Sequence, residues 1–127
     1  MSKSVIHTDS APAAIGPYSQ AIQFGKYLFT SGQLGLLPET GELAAGVEAQ
    51  TEWAMHNIGE ILKANHMSYK HILKTTVFVT DLADFTRVNE VYQTFFEDAY
   101  PARSCVQVAA LPKGGLVEIE CIAAKKE

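Results

Sequence analysis

Residues 116–124 read Leu-Val-Glu-Ile-Glu-Cys-Ile-Ala-Ala, and this run limits how the rest of the chain can fold. Successive side chains of an extended strand point to opposite faces of a sheet. The odd-numbered positions from 117 to 123 are all apolar, and the even-numbered positions hold two glutamates followed by Ile122 and Ala124. Both faces of this strand therefore carry apolar side chains, as do both faces of the β-branched run at 72–79. Such strands predict a sheet that is covered on both sides.

In two segments that precede this strand, apolar residues recur with the spacing of an α-helix. The first, residues 47–66, has apolar side chains every three or four positions and charged residues off that stripe. The second follows a capping aspartate, Asp81 or Asp84, and ends before Pro101. Its apolar face consists of Phe85, Val88, Val91, Tyr92, Phe95 and Phe96.

The other regular segments resemble strands. They span residues 5–8, 20–24, 27–31, 72–80, 104–110 and 116–124. The Gly25-Lys26 pair between the second and third of them predicts a β-hairpin. The order is therefore β-ββ-α-β-α-ββ, an α+β fold in which residues 1–127 form a single domain. Because two helices cover only one face of six strands, we expect an oligomer to cover the other face.

The composition narrows the class of function. The chain has 127 residues, a formal net charge of -4 and only two arginines, Arg87 and Arg103. A nucleic-acid surface needs clustered positive charge, so we expect no nucleic-acid partner. No apolar run has the length of a signal-peptide core or a membrane span, and the two cysteines lack a Cys-x-x-Cys spacing. These features favour a protein of the reducing cytoplasm with no membrane partner.

Cofactor and metal motifs are missing from the sequence. The segment Ser31-Gly32-Gln33-Leu34-Gly35 has neither the lysine of a P-loop nor the spacing of a dinucleotide fingerprint. The histidines have no metal-ligand spacing, and no Gly-x-Ser-x-Gly nucleophile motif occurs. We therefore expect neither a cofactor nor a metal.

Arg103 is the main candidate for ligand binding. It lies in the segment Tyr100-Pro101-Ala102-Arg103-Ser104-Cys105-Val106, just after a proline and at the start of a predicted strand. A guanidinium with a fixed direction binds a carboxylate through two parallel hydrogen bonds. The competing interpretation is an ordinary surface arginine in a salt bridge.

Glu118 is the candidate acid-base group, because it alternates with apolar neighbours on a strand, where burial favours a carboxyl poised for proton transfer. It is otherwise a solvated glutamate, and Glu120 on the same face is its rival. Cys105 shares the face of Arg103 and is either a thiolate nucleophile or a packing residue. Tyr18 either presents its hydroxyl to a ligand or anchors its loop.

The separation of Arg103 and Glu118 raises a question of assembly. If the last two strands pair directly as a hairpin, Ala110 faces Leu116 and Arg103 faces Ala123, about 16 Å along the strand from Glu118. The two side chains then cannot meet within one chain. Either the strands are not direct neighbours, or another subunit completes the site. We expect the second arrangement, because it agrees with the uncovered sheet face.

Several motifs, in this order, resemble the RidA/YjgF family of enamine/imine deaminases, and the match covers almost the whole chain. They are residues 11–19 (Ala-Pro-Ala-Ala-Ile-Gly-Pro-Tyr-Ser), 30–33 (Thr-Ser-Gly-Gln), 75–79 (Thr-Thr-Val-Phe-Val), 88–89 (Val-Asn), 101–106 (Pro-Ala-Arg-Ser-Cys-Val), 111–113 (Leu-Pro-Lys) and 117–120 (Val-Glu-Ile-Glu). Two places depart from the family pattern. Ala109-Ala110 precedes Leu111 where an arginine is often found, and Gly114-Gly115 replaces a more usual acidic turn. Neither place belongs to the expected chemistry.

The resemblance implies a chorismate-mutase-like fold with a six-stranded mixed sheet, two helices on one face, and a homotrimer with ligand clefts between subunits. It also implies hydrolysis of reactive enamine and imine acids, 2-aminoacrylate and 2-aminocrotonate, to 2-oxo acids and ammonia. By the same resemblance, Arg103 binds the carboxylate of a small substrate. Glu118 activates water and passes a proton to the departing ammonia. The cleft is expected to be lined by Tyr18, Ser31, Gly32, Asn89 and Cys105.

Two other functions stay open at this point. A regulatory module that binds small acids would use the same cleft without turnover, and would need Arg103 but not Glu118. Endoribonuclease activity has been attributed to some relatives of the family. The formal net charge of -4 and the presence of only two arginines argue against that activity here.

Overall fold

A computed structural model of the protein describes residues 2–126. Within them the strands are β1 (Ser4–Ile6), β2 (Ala21–Phe24), β3 (Tyr27–Thr30), β4 (Gln33–Leu34), β5 (Ile72–Val79), β6 (Ala102–Gln107) and β7 (Val117–Ala124). The helices are α1 (Val47–Ala64) and α2 (Phe85–Tyr92), with short 3₁₀ turns at Tyr69–His71, Leu82–Asp84, Gln93–Phe95 and Pro112–Gly114. The predicted α+β class and the order of the elements are confirmed, and β4 is an addition.

The C-terminal strand lies at the centre of the sheet. The strand order is β1-β2-β3-β7-β5-β6, and β4 pairs with the part of β7 that β3 does not reach. β7 is antiparallel to β3, β4 and β5, whereas β5 and β6 are parallel. The sheet is therefore mixed, as expected. The sequence did not predict β4, because two residues are too few to show an alternation.

The last two strands are not direct neighbours, so the direct hairpin does not form, and the first of the two arrangements, which we did not favour, is the one observed. β5 lies between β6 and β7, and Thr75 pairs with Arg103 on one side and with Cys121 on the other. The loop between β6 and β7 therefore crosses the end of β5. β6 also ends at Gln107 rather than at residue 110, because its pairing with β5 ends there.

The second helix is shorter than its apolar pattern suggested. α2 ends at Tyr92, and a 3₁₀ turn carries the chain on to Phe95. The capping residue is Asp81, whose carboxylate accepts a hydrogen bond from the Ala83 N–H at 2.9 Å, at the start of the preceding 3₁₀ turn. The apolar pattern did not distinguish these pieces, because a 3₁₀ turn keeps side chains three residues apart on one face.

The core lies between the two helices and the sheet. The odd-numbered positions of β7 are at most 3% exposed and pack beneath the helices. α1 contributes Ile58, Ile61 and Leu62, all fully buried. The even-numbered positions of β7 face the other way, onto a side of the sheet that no helix covers.

That uncovered side, the open face, is rich in apolar side chains. Strand pairing places Phe29 beside Ile122 and Phe24 beside Tyr27, all on this side. The exposed apolar side chains of the open face are 36–63% accessible: Val5, Phe24, Tyr27, Phe29, Val106 and Ile122. The prediction that both faces of the sheet are apolar is confirmed.

Helix α1 approaches the segment that follows β4 very closely at Gly35. A Cβ built on Gly35 would lie 2.3 Å from the Gln50 carbonyl oxygen and 2.4 Å from the Gln50 Cα. These are backbone atoms of a helix, so they cannot move aside as the end of a side chain can. Only glycine therefore allows this contact between α1 and the chain beside the sheet.

Gly35→Ala is expected to lower the free energy of unfolding by about 1–3 kcal/mol, because the helix must shift to admit the methyl group. Denaturant unfolding followed by circular dichroism measures the change. Ala45→Ser, on an exposed residue of the same connection, is the control and should leave stability nearly unchanged. Equal stabilities for the two variants would contradict the close contact.

Candidate active site

Arg103 lies on the helix-covered side of the sheet, at the edge strand β6. Its Nη1 donates a hydrogen bond to the Asn89 side-chain oxygen at 2.7 Å. The guanidinium carbon lies 5.3 Å from the centre of the Phe85 ring and 5.1 Å from the centre of the Tyr92 ring. The three contacts hold a planar cation against two aromatic faces on α2, which limits its directions.

Arg103 has no carboxylate partner among residues 2–126. The salt bridges found there join His7 to Asp9 and Arg87 to Asp84. The interpretation of Arg103 as a surface arginine in a salt bridge is therefore wrong for the part of the chain that the structure describes. One amide oxygen occupies a single donor of the guanidinium, and the remaining donors are available to an anion.

A cavity of about 430 Å³ opens beside this guanidinium. It is lined by Asn89, Tyr92, Gln93, Tyr100, Pro101 and Arg103. The Tyr92 hydroxyl is 2.7 Å from the Thr75 hydroxyl inside the core, which fixes the ring that supports the guanidinium. The sequence assigned Tyr92 to the core, and its second function as a support for Arg103 was missed because the pattern shows only an apolar helix face.

Cys105 follows two residues after Arg103 on the same side of β6. It is half-buried and packs against the core cluster beneath α2. Burial raises the pKa of the Cys105 thiol, and the nearby Arg103 only partly opposes this effect. The environment therefore favours the neutral thiol over the thiolate that nucleophilic attack requires.

Glu118 lies on the open face of β7, close to Gly32. A Cβ built on Gly32 would lie 2.8 Å from the Glu118 carboxyl carbon, so the absence of a side chain at Gly32 makes room for the carboxyl. Burial raises the pKa of Glu118, and the negative charge of Glu120 raises it further. A carboxyl with a raised pKa holds a proton more readily than an ordinary glutamate, which suits it to both taking and giving a proton.

A second cavity, of about 350 Å³, adjoins Glu118. Its lining includes Ile15, Tyr18, Gly32, Lys113 and Glu118. The Tyr18 ring is half-exposed at its rim. Of these, Ile15 and Lys113 were not predicted; both come from loops, in which no periodic pattern indicates the direction of a side chain.

Ser31 adjoins Gly32 but its hydroxyl is already engaged. Ser31 Oγ donates to the Ser19 carbonyl oxygen at 2.6 Å, and the Ser31 N–H donates to the Gln20 carbonyl oxygen at 2.9 Å. Ser31 therefore ties the loop that carries Tyr18 to the strand end that carries Gly32. Its hydroxyl oxygen keeps the capacity to accept one further bond.

The structure brings the predicted site residues together in two groups rather than one. We call Arg103, Asn89, Tyr92 and Cys105 the arginine group, and Glu118, Gly32, Tyr18 and Ser31 the glutamate group. Paired residues on adjacent strands point to the same face. Arg103 shares a face with the buried Thr75, whereas Glu118 pairs with Phe78, three positions along β5 and on the opposite face.

The two groups therefore cannot form one site within a single chain. They are separated by the thickness of the sheet and by the intervening strand β5, which alone spaces β6 and β7 by about 9–10 Å. A separate cavity adjoins each group, and the linings of the two cavities have no residue in common. Cys105 and Ser31 do not belong to either lining. Each group contains part of the set of residues that the sequence predicted for a single site.

In residues 2–126 no group of three or more His, Cys, Asp and Glu side chains converges on a possible metal position. Among the helices in the same range, none has the length and apolar character needed to cross a bilayer.

Comparisons with known proteins agree with the motifs. A family model described as Endoribonuclease L-PSP matches residues 8–125. Over 122 residues the chain is 54% identical to Reactive Intermediate Deaminase A, chloroplastic, of Arabidopsis thaliana, covering 95% of this chain and 65% of the plant protein. It is 51% identical over 122 residues to the 2-iminobutanoate/2-iminopropanoate deaminase of Mus musculus, covering 95% of this chain and 90% of the mouse protein.

Solved structures match equally well. A crystal structure of RidA from the Antarctic bacterium Psychrobacter has a TM-score of 0.94 at 50% identity, covering 96% of this chain and 99% of that one. Escherichia coli TdcF with bound serine has a TM-score of 0.94 at 48% identity, covering 97% and 99%. Because a family model matches residues 8–125 and relatives are about 50% identical in sequence, the chain belongs to the RidA/YjgF family.

Proposed function

We propose that this protein hydrolyses small enamine and imine acids, such as 2-aminoacrylate and 2-aminocrotonate, to 2-oxo acids and ammonia. The observation that carries the proposal is the guanidinium of Arg103, held by α2 beside a cavity and without a carboxylate partner in residues 2–126. The names of the mouse and plant relatives support the same reaction.

Arg103 binds the substrate carboxylate in this proposal. The aromatic faces of Phe85 and Tyr92 exclude water from part of the guanidinium, and Asn89 fixes its orientation. A carboxylate then forms two charge-assisted hydrogen bonds with the free donors. The serine named in the TdcF structure is a small amino acid with such a carboxylate, which is consistent with this class of ligand.

Glu118 acts as the general base and the general acid in this proposal. An enamine first becomes its imine by gaining a proton at carbon and losing one from nitrogen, and the imine nitrogen is protonated. As a carboxylate, Glu118 takes a proton from water while the water oxygen bonds to the carbon of the protonated imine, giving a neutral carbinolamine. Glu118 then gives that proton to the nitrogen. The carbon–nitrogen bond breaks, the carbonyl forms as the hydroxyl proton returns to the Glu118 carboxylate, and the departing ammonia takes up that proton to leave as ammonium. Imines already hydrolyse in water, so orientation by one arginine and proton transfer by one carboxyl are sufficient.

We further propose that the site forms between subunits of a homotrimer. Within one chain the arginine and glutamate groups lie on opposite faces of the sheet, whereas the glutamate group borders the apolar open face. A neighbouring copy packed on that face would cover its apolar side chains and bring its own arginine group to the glutamate group. Tyr18, Gly32 and Ser31 then line the cleft from one subunit, and Asn89 and Cys105 from the other.

The cytoplasm is the proposed compartment. Cys105 and Cys121 are both free thiols, and Cys121 is buried. Free buried thiols are typical of proteins that work under reducing conditions.

A small-acid-binding module without turnover is the second candidate, because the bound serine of TdcF shows that a relative holds an amino acid. The two functions differ in their need for Glu118. Endoribonuclease activity, the description of the family model, has less support here, since the chain carries a net charge of -4.

Arg103→Ala is expected to lower kcat/KM by at least about 100-fold, because two charge-assisted hydrogen bonds, each worth about 1.5–3 kcal/mol, are lost. The measurement is keto-acid or ammonia release from freshly generated 2-aminocrotonate, corrected for spontaneous hydrolysis. Arg87→Ala removes the only other arginine, which pairs with Asp84 on the surface, and should leave the rate unchanged. A protein that adds nothing to the spontaneous rate would refute the deaminase proposal.

Glu118→Gln is expected to lower kcat by a factor of about 10²–10⁴ and to leave KM nearly unchanged, because only proton transfer is removed. Retained binding of a small carboxylate by this variant separates catalysis from ligand capture. If Glu118→Gln turned over substrate as fast as the parent, Glu118 would have no part in catalysis.

The pH profile supplies a further check on the same residue. Glu118 must be ionised to activate water, so the rate falls as the pH drops through its pKa, which burial and Glu120 raise. Glu120→Gln removes the repulsion and should move this acidic limb to lower pH while the maximal rate is kept. A limb that does not move would show that another group is titrating.

Mixing subunits tests the shared site. Co-expression of Arg103→Ala and Glu118→Gln chains should restore up to about one third of the parental activity, because a closed trimer of both kinds pairs one intact arginine with one intact glutamate. Each variant alone stays inactive. The mass in solution should be about three times that of the 13.8 kDa chain. An active monomer, or no recovery in mixed oligomers, would contradict the intersubunit site.

A further inference from the structure

Two amide side chains of α1, Gln50 and Asn57, lie in the core on the helix-covered side of the sheet. Gln50 is 4% exposed and Asn57 is fully buried. Buried amides are costly unless their hydrogen-bonding groups are used. Both reach out of the helix to backbone groups of other segments.

Asn57 holds the chain on either side of Gly35. Its Nδ2 donates to the Leu36 carbonyl oxygen at 2.9 Å and to the Leu34 carbonyl oxygen at 3.3 Å. Its own oxygen, Oδ1, has no partner among residues 2–126. The amide therefore leaves an acceptor unpaired in the core, and its specific contribution is the pair of bonds to this segment.

Gln50 holds the start of β7. Its Oε1 accepts a hydrogen bond from the Leu116 N–H at 2.8 Å, and its Nε2 donates to the Ala44 carbonyl oxygen at 3.0 Å. Gln50 and Asn57 are two helical turns apart, so one rigid helix carries both contacts.

The two held segments frame Glu118. Leu34 pairs directly with Glu118 across β4 and β7, and Leu116 lies two residues before it in the chain. Gly32, two residues before Leu34, is the residue against which the Glu118 carboxyl lies. A change in the position of either segment would open the space between Gly32 and the carboxyl.

We infer that Asn57 and Gln50 are positioning residues for Glu118, holding β4 and the start of β7 so that the carboxyl stays confined against Gly32. The inference rests on the proposed catalytic role of Glu118. Neither amide belongs to the lining of the two site cavities, so each acts through backbone rather than through substrate.

The environment of Glu118 makes this positioning measurable. Burial is the larger cause of its raised pKa, and Glu120 on the same strand is the smaller one. Within one chain the other ionisable groups that face the same cavity are Lys113 and Tyr18, and in the proposed trimer Arg103 of the neighbouring copy faces it as well. Releasing β4 or Leu116 admits water to the Glu118 carboxyl and so reduces the larger cause of the raised pKa. The pKa of Glu118 should then fall towards that of an ordinary glutamate.

The experiment compares Asn57→Ala and Gln50→Ala with Thr51→Ala in the full chain. Thr51 is a fully buried polar residue of the same helix, and among residues 2–126 its hydroxyl bonds only to the Val47 carbonyl oxygen of α1, at 2.7 Å. Thr51→Ala therefore controls for lost core stability. Glu118 is titrated by NMR with carbon-13 in the glutamate carboxyls, its signal assigned by its absence in Glu118→Gln.

The expected result is a lower pKa of Glu118 in Asn57→Ala and Gln50→Ala, with no change in Thr51→Ala. In the first two variants kcat should fall at least about tenfold with a smaller change in KM, because displacing a reacting group by about 1 Å can cost about 100-fold. Thermal unfolding and the mass in solution confirm that each variant is folded and assembled.

Folded variants in which Glu118 titrates as in the parent would overturn the inference. If Asn57→Ala does not fold, Gln50→Ala decides by the same criteria. If neither folds, the amides maintain the whole fold and the specific role is wrong. The titration needs no substrate, so a shifted pKa in a protein without deaminase activity would refute the proposed function and leave the positioning role intact.

Discussion

The parallel pairing of β5 with β6 inserts β5 between β6 and the C-terminal strand β7. The register of this pairing sets Arg103 beside the buried Thr75 and so turns it towards α2. The antiparallel pairing on the other side of β5 turns Glu118 towards the open face. The position of β5 therefore decides that the side chains of Arg103 and Glu118 leave the sheet in opposite directions, so that one chain cannot bring them together.

The electrostatics of the two groups follow from their surroundings. Arg103 meets aromatic faces and one amide oxygen, which orient a cation without neutralising it. Glu118 meets apolar surface and a like charge, which favour its protonated form. A carboxylate ligand would supply the negative charge that Arg103 does not find among residues 2–126. The raised pKa of Glu118 suits it to exchange protons with water and with the substrate nitrogen. The environment of each residue thus fits its proposed role, carboxylate binding for Arg103 and proton transfer for Glu118.

Glycine and buried amides connect the core to this chemistry. Gly35 lets α1 lie against the backbone after β4, and Gly32 leaves room for the Glu118 carboxyl. Asn57 and Gln50 then reach from the same helix to the two segments on either side. The helix that closes the core therefore also sets the space in which Glu118 titrates.

The sequence by itself determined the helices and the strands other than β4, the apolar character of both sheet faces and the family, and it nominated Arg103 and Glu118 as candidate site residues, because periodicity, composition and motifs are local properties of the chain. It did not determine that β5 separates the last two strands, since strand order depends on pairing between distant segments. Nor did it reveal β4, the aromatic support of Arg103 by Tyr92, or the contact of Gly32 with Glu118. Only the tertiary structure decided these, because each depends on which backbone and which face lie together after folding.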